Sequence, residues 1–155
     1  MGNQAKKITQ SLPAILLINN SNANFILWTV EKKETRPSIS YQTVGSLVHA
    51  FDGKQGWHSF CVVTVSGEGV IKYLRIDLIE NPKDEGKVLI RFDLVSDKPK
   101  IPYFAGGFEV KEDLNFKDLE NIASEYLKEK GTDLEVSVND SGKFSRFLMD
   151  KLKKV

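Results

Sequence analysis

The chain reads as an α+β protein, with an antiparallel sheet of about five strands followed by two C-terminal helices. Three observations predict this. Residues 57–95 hold three runs rich in β-branched and aromatic residues, "WHSFCVVTV", "VIKYLRIDLIE" and "KVLIRFDLV". The breaks between them, "SGEG" and "NPKDEG", are of hairpin length, so an antiparallel meander is the natural pairing. Two runs with apolar residues at helical spacing follow these strands, and strands first with helices last is the α+β order.

Taken in order, residues 1–11 are polar and read as a flexible N-terminal segment, and residues 12–155 as a single α+β domain. "PAILLINN" and "NFILWTVEKK" read as two extended segments around an Asn/Ser turn, although the first could begin as a helix. "ETRPSISYQT" is loop-like. "GSLVHAFDGKQG" gives a strand that ends in a turn built from Asp52, Gly53 and Gly56. After the meander, "SDKPKIPYFAGGFEV" reads as a long irregular connection. In the next segment Phe116, Leu119, Ile122, Ala123, Tyr126 and Leu127 share one helical stripe, with Asn115 as N-cap and Gly131 just past the end. Between the helices "LEVSV" could be one more short extended piece. The final helix carries Phe144, Phe147, Leu148, Lys151 and Leu152 on one stripe.

The totals exclude several function classes. The chain has 155 residues, 41% of them hydrophobic, which suits one core. Lys and Arg number 22 against 21 Asp and Glu, a balance that gives no electrostatic footprint for nucleic acid. The lone cysteine, Cys61, forbids an intrachain disulfide and suits a reducing compartment. No apolar run approaches the roughly 18 residues of a membrane span. "KK" before "LPAILLI" imitates a signal peptide, but Thr9, Gln10 and Ser11 interrupt it. The expectation is a cytoplasmic protein.

The chemistry-bearing residues are few. His49, His58 and Cys61 match no zinc spacing, and neither a Walker A loop nor a GxGxxG is present, so no metal or cofactor is expected. Strand alternation puts His58 and Cys61 on opposite faces, which argues against a dyad between them and makes Cys61 a small core residue. His58 begins a strand just past a glycine turn, where an imidazole can face a cleft. Asp77, on the next strand, falls roughly across from it and can orient such a ring; the plain alternative is a solvated Asp beside Arg75. Ser141, in "VNDSGKF", starts the last helix. It is either a helix cap, a role Asp140 can fill equally well, or it stands where a nucleophile gains from the helix N-terminus.

Together "TVGSLVHAFDGKQGWHSFCVV", "YLRIDL" and "VNDSGKFSRFLMDKL" resemble the circularly permuted papain-like superfamily, which includes the lecithin:retinol acyltransferase-like and NlpC-type proteins. The resemblance covers roughly residues 43–80 and 136–153. It implies a permuted papain-like fold in which His58 is the base and Asp77 orients it. The nucleophile position falls on Ser141, with Asn139 two residues before it and Phe144 three after. The family has cysteine there. A thiolate is nucleophilic by itself, whereas a serine hydroxyl needs an aligned base. The chain is then a natural serine or non-catalytic version, or a form whose cysteine was replaced. The implied activity is hydrolysis or acyl transfer at an amide, ester or thioester, on a peptide, protein or acyl substrate.

The rival expectation is a non-enzymatic α+β module that binds a protein partner through residues 97–110. Tyr103, Phe104 and Phe108 decide it: exposed, they favour binding; buried, they are core.

Overall fold

The computed structural model describes residues 25–53 and 57–155. The first extended segment, "PAILLINN", the N-terminal segment 1–11 and part of the turn around Gly56 lie outside the described residues.

The strands are β1 (Ile26–Val30), β2 (Lys33–Glu34), β3 (Gln42–Phe51), β4 (Ser59–Gly67), β5 (Val70–Glu80), β6 (Val88–Val95) and β7 (Tyr103–Glu109). The helices α1 (Phe116–Lys130) and α2 (Ser141–Leu152) follow. The α+β class holds, but the sheet is larger than predicted, with seven strands among the described residues in the order β2-β1-β6-β5-β4-β3-β7. It is also mixed, because β1 runs parallel to β6.

Two segments differ from expectation, in opposite directions. The connection predicted as irregular contains β7, which pairs antiparallel with the outer side of β3. Glycines at 106 and 107 hid it, since glycine weakens a strand signal. In the structure the Phe108 ring lies over Gly106 and the Phe104 ring over Gly107, covering the gaps. "LEVSV", by contrast, is no strand; a single bridge joins Glu135 to Asn139 around a turn.

The predicted meander is present as β4, β5 and β6. Its first hairpin turns on Glu68 and Gly69, both at positive φ, the backbone that a two-residue turn between twisted strands requires. On β3 the pairing slips between Thr43 and Leu47, where Gly45 takes a positive φ of 73° and supports the bulge.

Both helices pack on one face of the sheet. That face holds Leu47, Cys61, Val63, Leu74, Ile76 and Phe92 against Leu119, Leu127, Phe144, Leu148 and Leu152. Trp28 stacks on Phe92 at 4.7 Å and donates from Nε1 to Glu120 at 2.7 Å, tying β1 to α1. The far face carries a smaller cluster of Val48, Ala50, Phe60 and Val62, which Ile101 covers as the β6–β7 connection crosses the sheet. α1 starts on the predicted Asn115 cap, with Asp118 closing a reciprocal capping box. Among the described residues no helix is long and apolar enough to cross a membrane.

Candidate functional site

The site forms where α2 meets the first residues of β4. α2 starts there because Asp140, in extended conformation, accepts from Lys143 N at 2.9 Å and caps it. Asp140 also accepts from Ser137 N at 2.6 Å, which closes the turn before the helix. Ser141 is thus the first helical residue and not the cap. Asn139, fully buried, holds the approach: its amide nitrogen donates to Gly131 O and Asp133 O, and Tyr126 Oη donates to its side-chain oxygen at 2.9 Å.

With capping supplied by its neighbour, Ser141 Oγ accepts instead from the backbone N–H of Ser59 at 3.1 Å, across 82 residues of sequence. That amide belongs to the peptide joining His58 to Ser59. Ser141 Oγ is therefore no more than about 5.5 Å from His58 Cα by peptide dimensions. One turn along the helix, Ser145 O meets Cys61 Sγ at 3.9 Å, so α2 lies along β4 with serine over strand at each contact.

His58 and Asp77 are joined directly. His58 Nε2 donates to Asp77 Oδ2 at 2.6 Å, which leaves Nδ1 as the ring nitrogen not engaged by Asp77. Asp77 is fully buried, contrary to the reading of a solvated Asp beside Arg75. Arg91, directly opposite it on β6, grips it in a fork, Nε to Oδ1 at 3.0 Å and Nη2 to Oδ2 at 2.7 Å. Burial pushes the Asp77 carboxyl up, but the hydrogen bonds from His58 and Arg91 and the Arg91 charge hold it below its ordinary value. The carboxylate is thus kept ionised beside the imidazole.

The three residues do not all approach from one side. Asp77 alternates with Ile76 and Leu78 of the helix-side core, so it and the His58 ring that binds it belong to the far face. Ser141 arrives from the helix face. They converge at the strand end, where the link is from Ser141 Oγ to the Ser59 amide and not to the imidazole.

Sequence reasoning missed Arg91 and Ser59. Arg91 had a legible signal, being the one cation in the apolar run "KVLIRFDLV" after its first residue. Ser59 had none, because its part is played by a backbone N–H. His49, set aside as a metal ligand, opposes Cys61 on the helix face, and its Nε2 shares a hydrogen bond with Ser59 Oγ at 2.7 Å. Burial, and then the Arg146 charge, lower its pKa and favour the neutral ring. Cys61 is the core residue predicted, its thiol pushed up to about 12 by burial. Among the described residues no group of His, Cys, Asp and Glu is arranged to hold a metal ion.

Compared with protein-family models, with curated proteins and with solved structures, the chain matches none.

Proposed function

We propose that the chain is a hydrolase or acyltransferase of papain-like type, acting on an amide, ester or thioester through residue 141. The observation that carries this is the convergence at the α2 N-terminus. The first residue of that helix meets the peptide of a histidine whose ring is bonded to a buried, ionised carboxylate.

In this reading the Oγ of residue 141 attacks the substrate carbonyl carbon while His58 takes its proton. Asp77, clamped by Arg91, fixes the ring and stabilises its charged form. Lys143 N is occupied by the Asp140 cap, so the amides of Ser141 and Gly142 are left to receive the oxyanion. His58 then protonates the leaving group, and water or an acceptor removes the acyl group from residue 141. A thiol suits this position better than the serine present, because the Ser59 N–H and the helix dipole stabilise a thiolate directly.

The test is Ser141→Cys mixed with p-nitrophenyl acetate. The reading expects a burst of p-nitrophenol and a single acetyl group on residue 141, both lost in a His58→Ala background. Acetylation no faster than that of free cysteine rejects it.

One observation favours a second reading, a protein-binding module. Tyr103, Phe104 and Phe108 are 40%, 66% and 45% exposed on the edge strand. The packing of Phe108 over Gly106 and of Phe104 over Gly107 accounts for part of this arrangement. Tyr103→Ala and Phe104→Ala in the Ser141→Cys background separate the readings: the enzyme reading expects the burst to survive both changes, whereas the binding reading expects no burst even before them and loss of partner capture after them.

A further inference from the structure

Two histidines flank Ser59, and the proposed reaction uses only one of them. His49 lies on β3 opposite Cys61, while Ser59 lies opposite Phe51, so His49 and Ser59 form a diagonal cross-strand pair on the helix face. Their side chains meet at 2.7 Å. Ser59 is fully buried, at the last rung of the β3–β4 ladder before the chain turns away. Its amide is the one that points at Ser141 Oγ. His49 therefore grips the side chain of the residue whose backbone touches the nucleophile position. The ring packs beside Phe51, with centroids 5.2 Å apart.

We infer that His49 is a positioning residue, fixing the Ser59 peptide so that its N–H stabilises the anionic form of the reacting atom at position 141. It acts through Ser59 and touches no substrate. The inference rests on the enzyme reading above and extends it to the helix side of the site, opposite the His58–Asp77 pair. The carbonyl of that peptide is held by Asp52 N, which donates to His58 O at 2.8 Å, and His49 holds the Ser59 side of it. Without the His49 tie the amide points at residue 141 only part of the time.

The experiment measures the iodoacetamide alkylation rate of Ser141→Cys alone and combined with His49→Ala, Ser59→Ala, both, or His49→Gln. Glutamine places a polar amide near the position of Nε2 and can keep the bond to Ser59. His49→Ala and Ser59→Ala are each expected to slow alkylation about tenfold, the worth of one hydrogen bond. The double change should slow it no further, and His49→Gln should restore most of the rate. Should His49→Ala fail to fold, Ser59→Ala, which removes only the hydroxyl, carries the comparison with His49→Gln. Unchanged rates in the alanine variants overturn the inference while leaving the enzyme reading intact, as does a glutamine variant as slow as alanine. A parent Ser141→Cys no more reactive than free cysteine removes the enzyme reading, and this inference with it.

Discussion

The first residue of α2 rests on the first residue of β4: Ser59 N donates to Ser141 Oγ at 3.1 Å. The contact exists because Asp140 relieves Ser141 of capping. A serine that capped its own helix would have its oxygen turned toward Lys143 and away from the strand.

Capping by Asp140 has a measurable consequence. Asp140→Ala removes the acceptor for both Lys143 N and Ser137 N. It should destabilise the protein by about 1–2 kcal/mol, the range for a lost N-cap. Chemical unfolding checks this, and Asp140→Asn should recover most of the loss.

The Asp77 clamp is a larger commitment. Asp77→Ala leaves the Arg91 guanidinium without its fork partner and His58 without its acceptor. The expected cost is about 3 kcal/mol, the low end for breaking a buried pair, because Arg91 keeps some contact with water. The urea midpoint should fall accordingly with the slope unchanged.

Away from the site, Glu120 is nearly buried and accepts from Trp28 Nε1 and from the Arg36 fork at 2.9 and 3.2 Å. Glu120→Ala strands a buried indole N–H and should cost about 2 kcal/mol. Glu120→Gln keeps an acceptor for Trp28 and should cost less. The difference between the two in thermal unfolding measures the indole bond.

Acid should weaken the fold in two windows. The folded pKa of His49 is lowered by burial and then by Arg146 from an ordinary 6.5. The unfolded chain therefore takes that proton first. Stability falls as pH drops below about 6.5 and levels off below the folded value. For Asp77 the folded value lies below the ordinary 3.8. Its contribution is complete above that pH and is lost as pH falls through the folded pKa. In unfolding curves taken from about pH 8 downward, His49→Gln should erase the upper window and Asp77→Asn the lower.

The legible parts of the sequence were those with strong local signals. The β4–β6 meander shows in its β-branched runs, α1 in its Asn115 cap and Gly131 stop, and α2 in its apolar stripe. β7 escaped because its two glycines are covered by Phe104 and Phe108 only once the strand is folded. At the site, His58 and Asp77 were readable as a cross-strand pair, and the structure joins them. The burial of Asp77 was not readable, since it depends on Arg91 lying opposite on β6. Nor was the Ser59–Ser141 contact, a tertiary bond to a backbone amide that no residue type announces.

The central claim is that position 141 is built to hold an activated nucleophile. Its most direct test is the pH dependence of iodoacetamide alkylation in Ser141→Cys, folded and in urea. Cys61, buried with its thiol pushed up to about 12, stays silent in the folded protein. The account predicts an apparent thiol pKa well below the roughly 8.5 of free cysteine, returning toward that value in urea and in His58→Ala. A folded-state value at or above about 8.5, unmoved by His58→Ala, would contradict it.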